Sequence, residues 1–205
     1  MKTSFPRVDL FQTEKRTLFS KLVGKEYQLS VRWPGFPEPT QKRFPVLFVL
    51  DGDTFFGMAA SLTDHLHNVP PTLLVGIGYD MQSWEGWLER RETDFKIPEV
   101  KDAPTDSHAD QFLAALKQEI IPFVEANYPV DPGERSLHGF SSGGFFVLYA
   151  LFHEPGLFRR YIAGSADLDI AYPYMIAHDQ PLLARKKADP IDLYMSVGEL
   201  EESSL

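Results

Sequence analysis

Apolar positions along the chain fall into short continuous runs separated by stretches with helical spacing. Pro45-Val46-Leu47-Phe48-Val49-Leu50 is unbroken and apolar, the mark of a strand buried on both faces. It ends at Asp51-Gly52-Asp53-Thr54, and helix-like sequence follows from about Phe55 to His67. Thr72-Leu73-Leu74-Val75-Gly76-Ile77-Gly78 reads as a second buried strand, which completes one βαβ unit. Upstream, β-rich runs around Arg16 to Leu22 and Lys25 to Trp33 flank Val23-Gly24 and predict an antiparallel pair ahead of the main sheet.

Residues 80 to 107 are polar apart from Trp84, Trp87 and a few others. Their length predicts a functional loop, with Arg90 and Arg91 available to line a pocket. Phe112, Leu113, Leu116, Ile120, Phe123 and Val124 recur at helical spacing, with Pro122 as a candidate kink. Arg135 to Phe140 reads as a short strand and Phe145 to Phe152 as an apolar helix. Further strands fit Tyr161 to Ala163 and Leu193 to Val197, with a helical segment near Tyr174 to Arg185 between them. Strands alternating with helices predict a doubly wound, mostly parallel α/β sheet.

Composition narrows the classes of function. With 205 residues, 43% of them hydrophobic and 24% charged, the chain fits a single domain over 1–205. A net charge of −9 and the lack of any Lys/Arg run of five argue against nucleic acid as a partner. There is no Cys, which removes disulfides, thiolate catalysis and Cys-based zinc sites together. The first residues carry no apolar signal core, and no stretch of 18 apolar residues follows. The expectation is a cytoplasmic protein with no membrane partner.

Candidate chemistry centres on Gly139-Phe140-Ser141-Ser142-Gly143, a G-x-S-x-G pattern. The bare pattern arises by chance in roughly one chain of this length in fifteen, so its placement between a strand and a helix carries more weight than the letters. A serine on a sharp strand-to-helix turn needs glycine neighbours, because side chains there would meet backbone. The N–H of Ser142 at the helix start could stabilise an oxyanion, and Gly52 or Asp53, after the Pro45 to Leu50 strand, is the natural second donor. Asp51 and Asp53 could equally cap the helix near Phe55. They also match D-x-D-x-T after a strand, similar to haloacid-dehalogenase-type phosphatases, with Asp51 as nucleophile, Mg²⁺ as helper and Asp167 and Asp169 as a second acidic pair.

From residue 45 to 200 the chain resembles the putative-esterase family of α/β hydrolases, which includes enterobactin and salmochelin (siderophore) esterases and feruloyl-esterase-like proteins. The matching stretches are Phe44 to Asp53, Val75 to Tyr79, Arg90 to Phe95, Gly139 to Gly144 and Val197 to Glu201. The resemblance implies an α/β-hydrolase-type fold, Ser141 as nucleophile, Ser142 as an oxyanion donor, Arg91 near the substrate, and Glu201 in the place of the triad acid. It also implies a small-molecule ester substrate without cofactor or metal.

In the family the catalytic histidine lies beyond the strand matching Leu193 to Val197, whereas this sequence ends at Leu205. The expectation is therefore a chain lacking the last strand, helix and catalytic histidine, impaired as a catalyst or serving as a non-catalytic module. Its open sheet edge would favour homo-oligomers. Of the histidines present, His138 is expected to pack beside the serine turn, and His65, His67, His108, His153 and His178 to be ordinary core or surface residues.

Overall fold

A computed structural model describes residues 10–34, 43–65, 69–80, 83–99, 103–166, 168–177, 179–184, 190–199 and 201. Strand β1 (Thr13–Ser20) pairs antiparallel with β2 (Lys25–Arg32). Gly24, at φ 73°, closes the turn between them. Strand β3 (Phe44–Leu50) leads through helix α1 (Gly52–His65) to β4 (Leu73–Gly78), its parallel neighbour. Helix α2 (Trp84–Phe95) and the irregular helix α3–α4 (Ala109–Asn127) precede β5 (Val130–Phe140). Helix α5 (Ser142–His153), β6 (Arg160–Gly164), α6 (Leu168–Ala177), α7 (Gln180–Leu183) and β7 (Asp192–Ser196) complete the described elements.

The seven strands are ordered β1-β2-β4-β3-β5-β6-β7, and β3 through β7 run parallel. Strand alternation divides the core. Leu73, Val75 and Ile77 of β4 enter the large cluster that contains Phe95, Phe112 and Phe146. Leu74 joins Phe56 and Ala60 of α1 in a small cluster, and Gly76 of the same strand also lies against Phe56. The sheet is thus doubly wound, as the pattern of apolar runs implies.

Two expectations are corrected. Residues 80 to 107 are not an extended loop, since Trp84–Phe95 is a helix capped by Ser83, whose side chain accepts the Gly86 N–H at 3.0 Å. Its buried face carries Trp87, Arg91, Asp94 and Phe95, spaced i, i+4, i+7, i+8. Two of those four are charged, so hydrophobic periodicity could not reveal the helix. The helix around Pro122 accommodates its proline by a π-turn at Leu116–Ile120 instead of a sharp kink. The Ile121 N–H reaches back five residues to the Leu116 carbonyl, and this widening meets the missing proline N–H at the start of α4.

Candidate active site

Ser141 occupies the junction of β5 and α5 at φ 57°, ψ −122°. For a residue with a Cβ this backbone region is strained, and such strain collects at functional positions. The surroundings hold it there. A Cβ on Gly139 would come within 2.2 Å of the Gly143 carbonyl oxygen, so only glycine lets β5 and the first turn of α5 approach this closely. The Ser141 N–H donates to the Gly164 carbonyl of β6 at 2.9 Å, and the Ser141 carbonyl receives the Phe145 N–H at 2.9 Å. The residue is exposed, with its side chain free to meet a ligand.

The second half of the site comes from β3. Val49 pairs with His138 in the parallel register. Extending that register brings Asp51 level with Phe140 and Gly52 level with Ser141. The N-termini of α1 and α5 therefore open at the same end of adjacent strands. Their unpaired first-turn N–H groups and helix dipoles favour negative charge between them. The close approach of α1 to β4 again needs glycine: a Cβ on Gly52 would lie 2.6 Å from the Gly76 carbonyl carbon.

Asp51, fully buried at φ 51°, has a carboxylate gripped by Arg91 through Nε to Oδ1 (2.9 Å) and Nη2 to Oδ2 (2.8 Å). Burial raises its pKa above the ordinary carboxylate value, and the hydrogen bonds from Arg91 oppose that rise. Arg91 Nη2 lies 3.4 Å from the Phe140 carbonyl, and Nη1 donates to Glu92 Oε1 at 2.7 Å. Glu92 Oε1 also accepts the Ser142 hydroxyl at 2.6 Å. One guanidinium thus links the end of β3, the end of β5 and, through Glu92, the first residue of α5.

This arrangement revises several readings of the sequence. The two carboxylates have partners beyond α1: Asp51 binds Arg91, and Asp53 accepts the Tyr79 N–H at 2.7 Å. With both carboxylate oxygens of Asp51 committed to Arg91, the phosphatase arrangement has no free nucleophile. Asp167 lies outside the described residues, as does the side chain of Asp169. The Arg91 side chain is only 8% exposed, and Asp94 on the same helix pairs with Arg90 and His108. Glu92 was not singled out by sequence reasoning, because only the fold brings residue 92 to residue 142.

Among the described residues no imidazole is hydrogen-bonded to Ser141. His138 packs edge-on against Phe55, with ring centroids 6.3 Å apart, and lines an apolar groove with Phe140. Burial lowers its pKa, and the field of Asp51 opposes this. His108 binds Asp94 Oδ1 at 2.9 Å, and His153 stacks on Tyr149 at 4.0 Å. His67 and His178 lie outside the described residues, as does the side chain of His65. Glu201 follows β7, where its Oε1 accepts the Ser165 hydroxyl at 3.1 Å. Ser165 directly follows Gly164, whose carbonyl holds the Ser141 N–H, so Glu201 stands at the same end of the sheet as Ser141.

Comparison with known proteins places this geometry. Residues 20–203 match the family model described as Putative esterase. The chain is 29% identical over 211 residues to the ferri-bacillibactin esterase BesA of Bacillus subtilis, covering 93% of this chain and 71% of that protein. It is 29% identical over 153 residues to a siderophore triacetylfusarinine C esterase of Aspergillus fumigatus, covering 71% of this chain and about half, 52%, of that protein. The crystal structure of the BES protein from Bacillus cereus superposes with a TM-score of 0.80 at 29% identity, over 98% of this chain and 79% of that one. Among the described residues no helix is long and apolar enough to cross a membrane. The chain belongs to the Putative esterase family, has the α/β-hydrolase-type fold of its siderophore-esterase neighbours, and is by family a carboxylic ester hydrolase.

Proposed function

We propose that Ser141 is the nucleophile of an acyl-enzyme mechanism acting on a small-molecule ester of the siderophore type. The observation that carries this reading is the strained, exposed Ser141 set between two helix N-termini. Its hydroxyl oxygen attacks the ester carbonyl, and the developing oxyanion is held by the Ser142 N–H together with that of Gly52 or Asp53. Collapse of the tetrahedral intermediate breaks the bond to the alkoxide, which leaves as the alcohol by taking up the proton that Ser141 gives up, and water then cleaves the acyl-serine bond, returning a proton to Ser141 and releasing the acid. Arg91, whose donors are engaged by Asp51, Glu92 and Phe140, is a positioning residue that sets the two helix starts at a fixed separation. Glu201 takes the role of the acid that would orient a base.

A serine without an adjacent base is a weak nucleophile, and none of the described imidazoles is bonded to Ser141. The 205-residue chain alone is therefore expected to hydrolyse p-nitrophenyl butyrate only at the level left by binding and the oxyanion donors, about 10³–10⁴ over water. Ser141→Ala should change that residual little, but should abolish the slow covalent labelling of the chain by a fluorophosphonate, read by mass spectrometry. A rate near the ordinary enzyme median of about 10 s⁻¹ that survives Ser141→Ala would assign the nucleophile elsewhere. The same rate abolished by Ser141→Ala would keep the nucleophile and show that another residue of this chain supplies the base.

A further inference from the structure

The hydroxyl of a serine at a helix N-cap ordinarily accepts an N–H from the first turn and so fastens the start of the helix. Ser141 stands at the N-cap of α5 but makes no such bond. Its hydroxyl is kept for other use, and the start of α5 needs another fastening. The next residue supplies one. The buried Ser142 donates its hydroxyl to Glu92 Oε1 at 2.6 Å, from α5 to α2 across 50 residues of sequence. Glu92 is itself held from two further directions: Arg91 Nη1 meets the same oxygen at 2.7 Å, and Lys96 Nζ meets Oε2 at 2.6 Å. A carboxylate gripped by two cations presents its oxygen to Ser142 in one place.

Negative charge this close to the proposed oxyanion donors works against the charge they are to hold, unless it is compensated. Here the compensation is local. Asp51 and Glu92 bring two negative charges to the start of α5, where Asp51 Oδ2 would lie 3.4 Å from a Cβ on Gly143, and Arg91 and Lys96 bring two positive ones. The first turn of α5 is thus fastened without net charge, and its N–H groups keep their attraction for an anion. Its exact placement matters, because a shift of about 1 Å in a donor is enough to cost a large factor in rate.

We infer that Glu92 is a positioning residue for the esterase reaction: through the Ser142 hydroxyl it fixes the first turn of α5, and with it the Ser142 N–H that faces the oxyanion. In its catalytic consequence the inference rests on the esterase reading. The fastening of α5 itself does not depend on turnover.

Two readouts separate these parts. The Phe145 N–H, which closes the first turn of α5 on the Ser141 carbonyl at 2.9 Å, reports the fastening through its amide hydrogen exchange in the ¹⁵N-labelled chain. Saturation kinetics of covalent labelling at Ser141 by a fluorophosphonate, followed by mass spectrometry, report the oxyanion donors, since the phosphoryl oxygen gains negative charge as the serine attacks. Glu92→Ala should speed Phe145 exchange and lower the maximal labelling rate, each about fivefold, the factor that goes with one ordinary hydrogen bond. The half-saturating reagent concentration should stay where it is. Glu92→Gln, which keeps an acceptor oxygen for the Ser142 hydroxyl, should retain most of the wild-type behaviour in both readouts. Ser142→Ala removes the hydroxyl and keeps the N–H; it should match Glu92→Ala, and the double variant should be no slower than either. Ser142→Ala decides the matter if Glu92→Ala does not fold. Phe145 exchange and labelling unchanged in Glu92→Ala, a Glu92→Gln chain as slow as Glu92→Ala, additive losses in the double variant, or a loss confined to the half-saturating concentration would each overturn the inference. A wild-type chain that takes no label at Ser141, with Phe145 still loosened by Glu92→Ala, would remove the esterase reading and leave the fastening of α5 standing.

Discussion

At the scale of single residues, Arg91 has the largest electrostatic consequence. Its partner Asp51 is wholly buried, so removing the guanidinium strands a carboxylate where solvation is poor. Breaking a buried pair from one side costs about 3–5 kcal/mol. At about 2–4 °C per kcal/mol for a chain of this size, Arg91→Ala should lower the melting temperature by about 10 °C. Replacing both partners, as Asp51→Asn with Arg91→Met, should recover part of that loss, since no charge is then left alone. Thermal unfolding of the three variants checks this, and an additive double variant would count against a coupled pair. His108 offers a pH-dependent counterpart. Its hydrogen bond to Asp94 raises its pKa above 6.5, against the opposing effect of burial. The folded state then holds the proton more tightly than the unfolded chain does. The added stability is complete below the ordinary histidine value and disappears as pH rises through the raised one. The melting-temperature difference between the wild-type chain and His108→Gln should thus shrink from pH about 5.5 to about 8.5, and a flat difference would show that the pair carries no net proton linkage.

At the scale of elements, the junction of β5 and α5 depends on an approach that no side chain tolerates. With the Gly143 carbonyl only 2.2 Å from where a Cβ would stand on Gly139, Gly139→Ala must displace backbone. It should cost about 3 kcal/mol, the upper end of overpacking penalties. Gly156→Ala, where nothing lies within 4 Å, is the control and should be nearly neutral in the same melt. This junction was legible from the sequence because its constraint is local: strand, glycine, serine, glycine and helix follow one another in ten residues. The buried strands were legible for the same reason, as unbroken apolar runs such as Val46 to Leu50. Helix α2 was not, because Arg91 and Asp94 stand on its inner face and are satisfied by Asp51 from β3 and by Tyr27 and His108 from elsewhere. A buried charge reads as exposed until its partner is known, and these partners are 14 to 67 residues away.

At the scale of the whole molecule, the sheet ends asymmetrically. The β1 side is a hairpin with polar residues such as Glu14, Lys15 and Arg16 along it, the kind of edge that resists further pairing. On the other side, β7 is exposed along its whole length, with Leu193 46%, Tyr194 63% and Met195 42% exposed, and Val197 beyond it 60%. Beside α1, a groove of about 420 Å³ is lined by Leu47, Phe55, Met58, Leu62 and Phe140. Among the described residues the outer edge of β7 has no strand partner and carries exposed apolar side chains, the kind of edge that can template a second chain. The 205-residue chain is therefore expected to self-associate through β7, giving an apparent mass in light scattering that rises from low to high micromolar concentration. Tyr194→Lys with Val197→Lys places charge on that edge without touching the core, and should return the chain to a monomer while leaving the melting temperature at low concentration within a few degrees. Changing Lys15 and Arg16 on the opposite edge to threonine should leave the self-association unaltered. A chain that stays monomeric across the whole range, or that dimerises equally well with both lysines present, would show that β7 is not the surface through which copies meet.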